Sequence, residues 1–127
     1  MKFKFDPTQG LIVIPTRLHS PNKDIIVHLA LDTGATCSII NWDVAVLLGY
    51  DPAIAKERIQ ITTGSGVEFA PRIAICKVEA PGRHLENFPM LCHTLPPSAT
   101  VDGLPGLDFF RGVNLIIDLR AGIVTIK

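Results

Sequence analysis

The chain has 127 residues, room for one ordinary domain, and 47% hydrophobic against 19% charged content excludes a disordered chain. Twelve basic residues balance twelve acidic ones, so the zero net charge speaks against broad electrostatic capture of nucleic acid or of an anionic membrane surface. Ten Gly and ten Pro beside six Phe, one Tyr and one Trp favour many turns and short strands over long helices.

The start, Met1 to Pro7, is positively charged but lacks the apolar stretch of a signal peptide. Residues 11–18 read as a strand, and Pro21, Asn22, Lys23 and Asp24 form a turn cluster. Residues 25–31 read as a second strand with Ile25, Val27, Leu29 and Leu31 on one face and Ile26, His28 and Ala30 on the other. Both faces are mostly apolar, which predicts a central, buried strand. It runs directly into Asp32, Thr33 and Gly34, and residues 37–40 are extended again. Asn41 is a natural N-cap for a helix from Trp42 to Leu48, closed by Gly49.

The middle of the chain repeats the β pattern. Residues 59–63 and 67–70 flank Gly64, Ser65 and Gly66, a hairpin with a flexible tip. Residues 72–80 extend the return arm, a turn at Ala80, Pro81 and Gly82 follows, and residues 87–94 form another strand. After a loop at Pro96, Pro97 and Ser98, residues 107–111 read as a short helix. Strands at 114–119 and 122–126 close the chain, and the last one is a candidate for an unpaired edge. The expected fold class is mainly β with one or two short helices, one domain over residues 1–127.

Cys37, Cys76 and Cys92 make an odd count without a C-x-x-C pair, which predicts no disulfide framework and three small buried residues. No apolar run nears the roughly 20 residues of a membrane-spanning helix, so the expectation is a cytoplasmic protein with no membrane partner. His19, His28, His84 and His93 do not pair at metal-ligand spacing, so neither metal nor cofactor is expected. No phosphate-cradling G-x-x-x-x-G-K-[ST] and no G-x-S-x-G nucleophile turn occurs.

The chemistry-bearing feature is Asp32-Thr33-Gly34-Ala35 at the end of an apolar strand. A carboxylate placed there is partly drawn out of water, Thr33 offers a neighbouring hydroxyl, and Gly34 lets the backbone turn closely. By itself the tripeptide is better read as an Asp capping a turn, because short motifs occur by chance. The wider order is apolar strand, Asp-Thr-Gly-Ala, short strand, short helix, Gly-tipped hairpin, strand, then Asp102-Gly103-Leu104-Pro105-Gly106-Leu107-Asp108-Phe109-Phe110 and a closing strand pair. That order resembles the retropepsin-like aspartic proteases over roughly residues 11–126.

The resemblance implies a single-lobe, closed β-barrel of the pepsin and retropepsin kind. It implies an aspartic endopeptidase in which Asp32 is catalytic and Thr33, Gly34 and Ala35 support the loop. Thr63, Gly64, Ser65 and Gly66 would form a substrate-covering flap, and Leu104 and Gly106 the second signature. Pro105 departs from the apolar residue usual there and puts the hydrogen bonding of that strand in question. Ala35 in place of Ser implies a working pH above the strongly acidic range. Carboxylate-catalysed hydrolysis needs two close carboxylates sharing a proton, and one chain carries one Asp-Thr-Gly. The implied active form is therefore a homodimer acting on a peptide or protein substrate, with the Asp32 loops and a chain terminus in the interface. The alternative is a non-catalytic dimerisation or peptide-binding module on the same fold.

Overall fold

Strand β2 (Val13–His19) alternates strictly, burying Ile14, Thr16 and Leu18 and exposing Pro15 and Arg17. It pairs antiparallel with β3 (Asp24–Ala30), Ile14 opposite Leu29, across a turn closed by the Ser20 N–H donating to the Lys23 carbonyl at 2.8 Å. These positions come from a computed structural model, which describes residues 1–64 and 66–127.

Before β2 lies β1 (Lys2–Lys4), and after β3 come β4 (Ile39–Asn41) and helix α1 (Trp42–Leu48). α1 starts and stops where its capping residues predict. The Asn41 side chain accepts from the Asp43 N–H at 3.5 Å, and Gly49 takes a left-handed φ of 99°. A one-turn 3₁₀ helix, Pro52–Ile54, leads to β5 (Arg58–Thr63), β6 (Gly66–Ala80) and β7 (Arg83–His93). Strand β8 is only Gly103–Leu104; a second 3₁₀ turn, Leu107–Phe110, and the strands β9 (Leu115–Asp118) and β10 (Ile123–Ile126) complete the order.

Six strands close a ring in the order β2-β3-β8-β4-β7-β6, and β2 pairs with β6 to seal it, Leu18 opposite Val78. Closure removes the open edges a sheet of this size would otherwise present. β5 lies outside the ring. It pairs with residues 66–71 of β6, Thr62 opposite Val67, so this hairpin projects past the barrel wall. The β6–β7 ladder is interrupted at Cys76 and Asn87, where Asn87 takes φ 49° and the Cys76 N–H donates to the Tyr50 hydroxyl at 3.0 Å. Burial also pushes the Tyr50 phenol up from its ordinary pKa.

The core inside the ring comprises Ile14, Leu18, Leu29, Ile40, Ile75 and Met90, and α1 contributes Val44, Ala45 and Leu48. Phe109 is buried among them with its ring edge-on to Phe88 at 5.7 Å and to Phe110 at 5.0 Å, the arrangement the ring quadrupoles favour.

Three expectations are corrected. β3 is central in pairing but covered on one face only, since Ile26 and His28 are exposed on the outside of the barrel. Cys92 alone of the three cysteines is buried; Cys37 is half-buried and Cys76 exposed. The last strand is not an unpaired edge. β10 pairs with β9 on one side and β1 on the other, Lys2 opposite Thr125, in a separate three-stranded sheet. The terminal residues fasten it further, with the Met1 amino group on the Ile126 carbonyl at 2.9 Å.

Candidate active site

Asp32 leaves the barrel two residues after the end of β3. Its backbone is held from below: the Leu31 N–H donates to the Ile12 carbonyl at 2.9 Å and the Asp32 N–H to the Pro105 carbonyl at 3.1 Å. The carboxylate is half-buried, and its Oδ1 accepts the Gly34 N–H at 2.9 Å, the local turn Asp favours. Gly34 gives that oxygen room, because a Cβ there would stand 3.2 Å from Oδ1. Oδ2 has no protein partner among the described residues. The Thr33 side chain is exposed and Ala35 half-buried.

The segment 103–108 is the floor of this loop. β8 fits between β3 and β4, with Gly103 opposite both Leu29 and Ile40. A side chain cannot be admitted: a Cβ on Gly103 would lie 2.2 Å from the Ile39 carbonyl oxygen, and one on Gly106 would lie 2.6 Å from that of Ala35. Pro105 resolves the question its ring raised. It has no N–H, β8 ends at Leu104, and the Pro105 carbonyl carries the bond to Asp32.

Beyond it, the Leu107 N–H donates to the Ala35 carbonyl at 2.8 Å. Ser38, fully buried, ties the two segments together. Its Oγ donates to Asp108 Oδ1 at 2.7 Å and accepts the Gly106 N–H at 3.0 Å, while its own N–H donates to Asp108 Oδ2 at 3.1 Å. Asp102 makes a matching tie to β3, its Oδ2 accepting the His28 N–H at 2.9 Å. The two other carboxylates near the loop thus tie distant segments of the scaffold together, and Asp32 bonds only within its own turn. Gly103, Ser38 and Asp108 are site-building residues that the sequence reading left without a role. An Asp two residues after a Gly at a helix start, opposite a Ser that precedes an apolar strand, is the only trace they leave.

A cleft of about 470 Å³ opens beside the Asp32 loop, between residues 35–37 and Ile39 on one side, Leu91 beneath, and residues 59–62 of β5 above. Its apolar walls are Ile39, Ile59, Ile61 and Leu91. The β5–β6 hairpin therefore stands over the loop that carries Asp32. Thr63, Gly64 and Gly66 lie at its end, with Thr63 opposite Gly66 and Gly66 at φ 124°; Ser65 lies outside the described residues. Leu104 and Gly106 are brought under the Asp32 loop, and Thr63, Gly64 and Gly66 to the hairpin above it.

Among the described residues, no group of three or more His, Cys, Asp or Glu could hold a metal ion, and no helix is long and apolar enough to cross a membrane.

The family model described as "gag-polyprotein putative aspartyl protease" matches residues 22–112, most of the chain and all of the Asp32 site. The chain belongs to this family. No curated protein sequence matches it. Among solved structures it is similar to a retropepsin-like aspartic protease from Rickettsia conorii, at 19% identity and a TM-score of 0.75, covering 99% of this chain and 88% of that one. It is also similar to the retroviral protease-like domain of Ddi1 from Leishmania major, at 22% identity and a TM-score of 0.63, covering 94% and 90%. At these identities the likeness establishes the fold, and the retropepsin-like closed barrel expected from the sequence is the one observed.

Proposed function

We propose that this retropepsin-like chain is an aspartic endopeptidase that works as a homodimer, with Asp32 from each copy forming the catalytic pair. The observation that carries the reading is the contrast among three carboxylates. Asp102 and Asp108 are spent on backbone amides and a buried hydroxyl of other segments, whereas Asp32 bonds only within its own turn, on a loop anchored at Leu31, Asp32 and Ala35.

A single carboxylate cannot serve as acid and base at once. Two brought together by a two-fold axis share one proton, because two like charges a few ångström apart are costly. One Asp32 then takes a proton from a water held between the pair as that water attacks the peptide carbonyl carbon. The other donates its proton to the carbonyl oxygen. Collapse of the tetrahedral intermediate breaks the C–N bond as the nitrogen takes up a proton. Thr33, exposed beside Asp32, would bond across the axis, and the reaction requires no metal or cofactor. The substrate is an extended peptide beneath the hairpin, with an aliphatic side chain in the pocket of Ile39, Ile59, Ile61 and Leu91.

The test is cleavage of an unfolded protein by the wild type and by Asp32→Asn at matched concentration. The expected loss is at least about a hundredfold, the scale of a removed acid–base group. The wild-type rate should follow a bell in pH whose limbs belong to the pair. Equal rates for the two proteins would remove Asp32 from the chemistry and leave a peptide-binding module on the same fold.

A further inference from the structure

Directly opposed residues of an antiparallel pair share a face. On the β5–β6 hairpin Ile59 stands opposite Ala70 and Ile61 opposite Glu68, so these four lie on one face. Ile59 and Ile61 line the cleft beside the Asp32 loop. Ile61, Glu68 and Ala70 line a second cleft, of about 400 Å³. The two are neighbours under one face of the hairpin, and Ile61 is a wall of both. Their floors are also continuous. Ile39 and Leu91, opposite each other in β4 and β7, belong to the first cleft. Two residues further along the same ladder come Asn41 and His93; His93 and the adjoining Trp42 belong to the second.

The clefts differ in chemistry. No charged residue lines the first. The second holds two aromatic side chains, Trp42 and Phe69, and one carboxylate, Glu68, with no Lys or Arg. Glu68 Oε2 lies 2.8 Å from Nε2 of His93, which ties the carboxylate to the floor. Its Oε1 has no partner among the described residues.

We infer that the second cleft is a substrate subsite for an arginine side chain, two positions along the peptide from the aliphatic side chain in the first. The inference rests on the proposed function in taking the peptide to lie extended beneath the hairpin. Binding at the subsite itself requires no hydrolysis.

Spacing and charge carry the argument. Two residues along a strand span about 6–7 Å, the step from Leu91 to His93. In an extended peptide, side chains two residues apart point the same way at that same spacing, so a peptide with one side chain in the first cleft brings another over the second. A carboxylate beside aromatic rings favours a cation there. A guanidinium suits the pair better than an ammonium, because its plane stacks on a ring while its edge donates to the carboxylate. The apolar stem of the arginine would cover Ile61. Exposure limits the gain. Glu68 is 47% exposed, so the expected preference for arginine over a neutral side chain of the same shape is about three- to tenfold in affinity.

Trp42 is the only tryptophan in the chain and lines this cleft, so its fluorescence reports occupancy. The experiment titrates the full chain bearing Asp32→Asn with short peptides that carry leucine and arginine separated by one residue, in both orders. The same peptides with citrulline in place of arginine keep the shape and drop the charge. An arginine peptide of at least one order should bind about three- to tenfold more tightly than its citrulline counterpart. Adding Glu68→Gln should abolish that preference and leave the citrulline affinity unchanged, which also shows that the variant remains folded. With Asp32 restored, Glu68→Gln should raise KM for the arginine peptide and leave kcat unchanged, since the contact is remote from the scissile bond. Equal affinity for arginine and citrulline, a preference that survives Glu68→Gln, or no saturable response to any peptide overturns the subsite. A wild type that cleaves none of these peptides while the preference persists overturns the proteolytic reading instead and leaves the subsite standing in a peptide-binding module.

Discussion

Ser38→Ala removes one oxygen from the middle of the site's foundation. Ser38 is 0% exposed, so water cannot replace what the hydroxyl does. The variant loses the 2.7 Å bond to Asp108 Oδ1 and leaves the buried Gly106 N–H, now 3.0 Å from the hydroxyl, without an acceptor. A bond to an ionised group contributes about 1.5–3 kcal/mol, and an orphaned buried N–H costs about 1–3 kcal/mol. The expected destabilisation is thus about 3–5 kcal/mol, a large part of the roughly 5–15 kcal/mol that holds a domain folded. For a chain of this length it corresponds to a fall in Tm of about 10–20 °C. Urea titration followed by circular dichroism measures it as a drop in midpoint at constant slope. Asp108→Asn and the double variant close a cycle whose coupling should be at least about 1 kcal/mol, since the two side chains share a bond. A loss below about 1 kcal/mol for Ser38→Ala, or an additive double variant, would refute the claim that this network holds the Asp32 loop to its floor.

Gly103→Ala should cost about 3 kcal/mol, because the new methyl meets the Ile39 carbonyl oxygen at 2.2 Å and the Ile40 Cα at 2.9 Å, both backbone atoms that move only if β4 and β8 part; thermal denaturation checks it. Cys92 supplies a pH dependence. Burial pushes its thiol up from the ordinary value of 9.0 to about 11, so above pH 9 the folded state holds a proton that the unfolded state gives up. Stability should fall between about pH 9 and 11, on the order of 2 kcal/mol, and denaturant titrations of Cys92→Ala should lack that decline.

The parts of the fold legible in the sequence are those with a local cause. α1 is bounded by Asn41 and Gly49 because capping acts within a few residues. β2 and the hairpin strands follow from period-two alternation and from glycine between them. β8 was not legible. Two residues carry no period, and Gly103–Leu104 is a strand only because β3 and β4 leave a gap of that width. The face of β3 bearing Ile26 misled because apolar residues on both faces suggest two covering layers, while a closed barrel covers one. At the site, Asp32, Gly34 and Gly106 could be placed by motif. The Ser38–Asp108 tie spans 70 residues and has no local signature. Cys37 is half-buried because the cleft beside it is open.

The terminal strands bear on assembly in a way the sequence pattern did not suggest. β10 is flanked on both sides within its own chain, so its backbone has no edge to offer a second copy. A dimer that brings two Asp32 residues together must then rely on side-chain surfaces around the loop and on the outer strands β1 and β9. Leu107 is such a surface. It is 48% exposed, and its N–H is fixed to the Ala35 carbonyl, so it moves with the Asp32 loop. Burying a leucine contributes about 1.5–3 kcal/mol, so Leu107→Asp should weaken dimerisation by at least about tenfold. Monomer stability should hardly change, because the side chain already faces water. Sedimentation velocity across a dilution series gives the association constant, and peptide cleavage over the same series should lose specific activity as dimer is lost. A protein that stays monomeric while its specific activity is independent of concentration would rule out the shared site, however complete the loop around Asp32.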